Sequence, residues 1–283
     1  MKRSRVPGPI QNTAPIGNSG DRVGPFTSPW ISLDPTSSGW TFNDPDSTGT
    51  VKSLNVGNTG MRFVLDRFAA TNLHRSERWN ASLQHGGRYY KKLQGDRGPL
   101  MWTDTFSIEF LLWRTAVDAN SGAGNQDDSG IAIGIADSSC IAGTSSVKWI
   151  GIGSYSKKGS GNQNITGQLG GDTGTTNTSD IADQRRFYVS IGPGLDDNDG
   201  DGHPKVHRAM CYALDDNNDL RQSTTCASQT HEFTGTDPVY MFVCPTFRSN
   251  SGAPNDADFT YKVWYRISED PERMLPQYTP NQG

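Results

Sequence analysis

Phe106-Ser107-Ile108-Glu109-Phe110-Leu111-Leu112-Trp113-Arg114 is the stretch that decides the fold. In an extended chain, successive side chains point to opposite faces. Phe106, Ile108, Phe110 and Leu112 therefore share one side, whereas a helix would scatter them around its axis. The same alternation recurs. Met61, Phe63 and Leu65 alternate with Arg62 and Val64, and Ile131, Ile133 and Ile135 alternate with Ala132, Gly134 and Ala136. Phe259, Tyr261, Val263, Tyr265 and Ile267 form the longest such face. Residues 147–153, 187–191 and 240–244 are apolar runs of strand length, and 205–214 and 220–226 flank the turn-forming Asp215-Asp216-Asn217-Asn218-Asp219. About nine strands joined by turn-rich loops, with a single weak helical candidate at 67–82, predict an all-β fold. The expected architecture is an antiparallel β-sandwich or jelly roll with an extended N-terminal arm.

Composition agrees with this reading. Of the 30 acidic residues, 25 are Asp and 5 are Glu. Asp favours turns and caps while Glu favours helices, so the ratio argues against helical bundles and repeats. The 32 Gly and 16 Pro supply loops, and 27 aromatic residues can fill a core. No apolar run approaches the length of a transmembrane helix. Met1-Lys2-Arg3-Ser4-Arg5 is followed by Val6-Pro7-Gly8-Pro9-Ile10 rather than an apolar core, so no secretion signal is expected. A net charge of −4 without a basic block gives no support for nucleic-acid binding.

Three segments follow. Residues 1–36 carry Pro7, Pro9, Pro15, Pro25, Pro29 and Pro35 and read as an extended arm, because proline removes backbone donors and the segment has no periodicity. Residues 37–270 hold the strands, and 271–283 form a C-terminal tail.

The pattern of 106–113, 130–137, 147–155 and 258–267 resembles the concanavalin A-like lectin/glucanase sandwiches, laminin-G-like domains included. The order of a Pro/Gly-rich arm ahead of such a sandwich resembles a bacteriophage virion protein of capsid-decoration, tail-fibre or receptor-binding type. That resemblance implies a non-enzymatic structural protein assembled in the host cytoplasm. It implies anchorage to neighbouring virion subunits through 1–36, a homo-oligomer (a trimer by analogy), and possible recognition of a host-surface glycan. Membrane insertion is not expected. Carbohydrate-binding modules and polysaccharide-degrading enzymes are the alternatives.

Asp197-Asn198-Asp199-Gly200-Asp201-Gly202 fits the opening of a calcium loop, in which alternate carboxylates converge on a hard cation and glycine permits the turn. Asp197, Asp199 and Asp201 are the candidate Ca2+ ligands. The twelfth loop position is Arg208, so this is not an EF-hand, and a solvated acidic turn is the competing reading. Of the five histidines only His203 and His207 are close, and on a strand beginning near Lys205 they need not converge on a metal. Sandwich glycosidases use E-x-D-x-x-E on one strand, and Glu77, Glu109, Glu232, Glu269 and Glu272 do not build it. Glu109 is expected to face solvent or an ion pair. Trp113, Trp149, Tyr155 and Trp264 could form a sugar platform. Trp264, beside Lys262 and Arg266, suits an outer surface or interface, a core position or a ligand platform. Cys140, Cys211, Cys226 and Cys244 read as buried thiols, with a Cys211–Cys226 hairpin bridge as the alternative.

Overall fold

The computed structural model describes residues 27–44, 51–66, 87–116, 128–144, 149–159, 162–170, 176–177, 181–182, 186–193, 207–214, 220–228, 237–248 and 256–269. Among them the chain is almost entirely β, with all strand pairings antiparallel. The strands are β1 (Ile31–Ser32), β2 (Thr41–Asn43), β3 (Val51–Gly57), β4 (Gly60–Leu65), β5 (Arg88–Lys92), β6 (Gln94–Gly95), β7 (Gly98–Pro99), β8 (Ser107–Ala116) and β9 (Asp128–Ala136). They continue with β10 (Trp149–Gly159), β11 (Asn162–Gly170), β12 (Thr176–Asn177), β13 (Ile181–Ala182), β14 (Arg186–Pro193), β15 (His207–Leu214), β16 (Leu220–Ser228), β17 (Tyr240–Arg248) and β18 (Ala257–Ser268).

Two sheets result. One runs β16-β15-β14-β8-β18-β4-β3, with β1 also paired to β18. The other runs β12-β11-β10-β9-β17-β5-β2, with β13 beside β11, while β6 and β7 form a small ribbon. Neighbours such as β8 and β18 are distant in sequence, which is the jelly-roll character expected from short strands without crossover helices. The inward faces are those the alternation singles out. Phe63, Phe110, Leu112, Val189, Phe259 and Val263 of the first sheet share one core with Ile131, Ile133, Ile135 and Val243 of the second. Burying each such side chain contributes about 1.5–3 kcal/mol, as an upper bound.

The second sheet also buries part of its other face. Ala132, Ala136, Trp149, Phe242 and Cys244 pack with Cys140 and Ile141 of α1 (Ser138–Ala142). Asp137 caps this helix by accepting from the Cys140 amide at 2.9 Å, and Gly143 ends it at φ 80°. Trp149 meets Phe242 edge-on at 5.7 Å. Gly134 stands opposite Gly151, and a Cβ on Gly134 would lie 2.1 Å from the Ile150 carbonyl oxygen. β9 therefore needs glycine at that crossing.

One expectation changes. The segment expected as an extended arm over 1–36 does not stay apart from the sandwich over its described part. From Thr27 it is built into this chain's own sheet. Thr27 bridges Ser268, the Ser28 amide donates to the Ile267 carbonyl at 2.8 Å, and β1 pairs with Trp264 and Tyr265. Trp30 and Leu33 are buried. The physical reason is that β4 covers β18 only as far as Tyr261, so the rest of that edge has unpaired amides for 27–33 to satisfy. The β15–β16 register pairs Cys211 with Thr224 and Cys226 with Ala209. The helical candidate at 67–82, the loop with Asp197, Asp199 and Asp201, and residues 1–26 and 271–283 lie outside the described residues.

Candidate functional site

The register of the first sheet stacks its outward residues in three rows. Arg186, Trp113 and Lys262 lie side by side across β14, β8 and β18. Tyr188, Leu111 and Trp264 form the next row, which continues onto Ser32 of β1. Ser190, Glu109 and Arg266 form the third. The alternation that sends Phe110 and Leu112 into the core sends Glu109, Leu111 and Trp113 outward.

In the first row, Trp113 is a ring with a cation on each flank. The Arg186 guanidinium lies 4.5 Å and the Lys262 ammonium 5.5 Å from its centre. The negative face of the indole attracts both. In the third row, Arg266 grips Glu109 through two nitrogens, Nη2 to Oε1 at 2.9 Å and Nε to Oε2. Tyr188 donates its hydroxyl to the same carboxylate. The Arg266 guanidinium also stacks on Trp30, 4.7 Å from the ring centre. Burial opposes the charge on Arg266, but the hydrogen bonds and charge of Glu109 outweigh it and raise its pKa. Burial, followed by the Glu109 charge, raises the Tyr188 pKa, so its phenol stays protonated.

A cleft of about 230 Å3 opens beside these rows where β18 changes partner. Its walls include Ser32 and Leu33, Asn58 of the β3–β4 turn, and Lys262, Val263 and Trp264. Gly60 adopts φ +120°, and a Cβ there would lie 2.3 Å from the Tyr261 carbonyl oxygen, so the turn presses directly on β18. Thr115 donates its hydroxyl to the Thr59 carbonyl at 3.0 Å and ties the turn to β8.

The sequence-derived candidates divide accordingly. Trp113 and Trp264 lie in adjacent rows of this face, both half-buried. Trp149 belongs to the other sheet and is fully buried, so it cannot serve the same platform. Tyr155 lies on β10. Glu109 is in an ion pair, one of the two settings expected of it. Cys140 and Cys244 are fully buried. Among the described residues no group of three or more His, Cys, Asp or Glu could hold a metal. No described helix is long and apolar enough to cross a membrane. Trp30 and Tyr188 escape a reading of the sequence. Trp30 sits in a proline-rich stretch without period, and only the pairing with β18 brings it to Arg266.

No protein-family model and no curated protein match the sequence. Solved structures do resemble it. The CBM2 module of the evolved Dit of Lactobacillus casei BL23 phage J-1 aligns over 87% of this chain and 97% of its own, at 10% identity and TM-score 0.44. The carbohydrate recognition domain of Emp47p aligns over 83% and 90%, at 10% identity and TM-score 0.38. An alginate lyase from Pseudomonas aeruginosa aligns over 81% and 96%, at 10% identity and TM-score 0.41. At these identities and TM-scores the likeness says nothing of function.

Proposed function

We propose that this chain is a non-catalytic carbohydrate-binding sandwich. The observation that carries the reading is the row Arg186–Trp113–Lys262 with Trp264 beside it, next to an open cleft. Trp264 offers apolar area for the C–H face of a sugar, and the row beside it, in which Arg186 and Lys262 cover the Trp113 ring, supplies cations for its hydroxyls. The chemistry of the face favours binding over hydrolysis. Glu109 is committed to Arg266 and Tyr188, and Asp258 to Arg62 at 2.9 Å, so neither carboxylate is poised as acid or nucleophile. The wider proposal, display on a virion as a decoration or tail-fibre component, rests on the proline and glycine content of the N-terminal segment. Because 27–36 belong to the sandwich, the anchoring segment becomes 1–26. Binding to a panel of immobilised polysaccharides tests the platform. Trp113→Ala and Trp264→Ala, with melting curves close to the parent, should each lose at least about ten-fold in affinity. Undiminished binding by both variants refutes the platform. Normal virion incorporation of a chain lacking 1–26 refutes the anchor.

A further inference from the structure

We propose that the cleft beside Lys262 receives an acidic sugar, so that the platform selects glycans bearing carboxylate or sulfate. The inference rests on the carbohydrate reading above and adds the class of sugar.

The charges on the outer face are mostly settled internally. Arg266 is held by Glu109, and Arg62 makes a two-point contact with Asp258. Lys262 differs. Among the described residues no carboxylate pairs with it, and its ammonium rests at 5.5 Å on the Trp113 ring. A lysine on the outer face of an acidic protein, placed at the rim of a cleft, leaves a local positive potential that an anion would relieve.

The cleft is suited to one ring-sized group. It lies where the edge of β18 passes from β4 to β1, between the Tyr261–Met61 pair and the Leu33 amide that donates to the Val263 carbonyl at 2.8 Å. Its volume of about 230 Å3 falls below the range of roughly 300–1,000 Å3 that holds drug-sized ligands. Leu33, Val263 and Trp264 are among its apolar lining residues, and Ser32 and Asn58 among its polar ones. Gly60 and the Thr115–Thr59 bond fix the turn that borders it, so little ordering is needed on binding. A pyranose ring could rest on Trp264 with its acid group drawing the Lys262 ammonium from the Trp113 ring into a charge-assisted hydrogen bond.

Titration calorimetry on the full chain tests this with two matched pairs. Polygalacturonate is compared with its methyl ester, and a sulfated galactan with its desulfated form. The expected result is at least about ten-fold tighter binding of one or both acidic polymers than of their neutral counterparts, weakening as salt rises. The pair that shows the difference tells carboxylate from sulfate. Lys262→Gln should abolish most of that preference and Lys262→Arg should retain it, with circular dichroism confirming the fold of each. Equal binding of neutral and acidic polymers overturns the charge inference and leaves the platform standing. Failure to bind any polymer overturns both. Unchanged preference in a folded Lys262→Gln overturns the assignment to this cleft.

Discussion

Replacing Glu109 with Gln probes the ion pair that organises the outer face. The Arg266 and Glu109 side chains are 18% and 12% exposed, so the pair is sheltered without being fully buried. At about 4 Å and an effective dielectric near 20, two unit charges attract by about 4 kcal/mol, and desolvation returns part of that. Removing one member of a fully buried pair costs about 3–5 kcal/mol because the other charge is stranded. With the residual exposure here, Glu109→Gln should cost about 2–3 kcal/mol. It leaves Arg266 with the Trp30 ring and removes the charged acceptor of Tyr188. For a domain of this size the melting temperature should fall by roughly 5–10 °C. A double-mutant cycle with Arg266→Met isolates the pair from general packing loss, and urea unfolding supplies the four free energies. A coupling of about 2 kcal/mol is expected. A coupling below about 0.5 kcal/mol, the size found for exposed surface pairs, would refute the claim that this face is sheltered and preorganised.

The remaining predictions concern the edge of β18, the thiols and the acidic loop. Leu33→Ala should destabilise the sandwich by about 2–4 kcal/mol, since Leu33 is a buried member of the main core; a change below about 0.5 kcal/mol would return 27–36 to the arm. Burial pushes the Cys140 and Cys244 thiols up to about 12 from 9.0, so the folded chain keeps protons that the unfolded chain releases. Stability is thus complete below pH 9 and declines as pH rises through the interval from 9 to about 12. Between pH 8 and pH 10 each thiol should cost about 1.4 kcal/mol, and urea midpoints that stay level over this range in the parent chain would contradict their burial. Chelation should lower the melting temperature, and Asp199→Ala should remove that difference; a chelation effect that survives the substitution eliminates Asp197, Asp199 and Asp201 as the ligand set.

Which side chains face inward was legible because a strand's period of two is local. Phe110, Ile133 and Phe259 declare their face from their immediate neighbours, so the all-β class and its core could be read from the chain. The same period marked Lys262, Trp264 and Arg266 as facing outward together. Strand neighbourhood is a different quantity. Glu109 and Arg266 are 157 residues apart, and nothing local specifies that β8 lies between β14 and β18. The rows that make the candidate site exist only once that order and its register are set. Likewise, the prolines near Trp30 speak locally for an extended arm. The unpaired edge of β18 beyond Tyr261 is what draws 27–33 into the sheet, because unsatisfied backbone amides outweigh a weak local preference. Period, face and class thus belong to the sequence by itself. The grouping of Trp113 with Arg186 and Lys262, the shelter of Glu109, and the cleft at the strand exchange belong to the tertiary structure, which alone fixes the contacts between segments far apart in the chain.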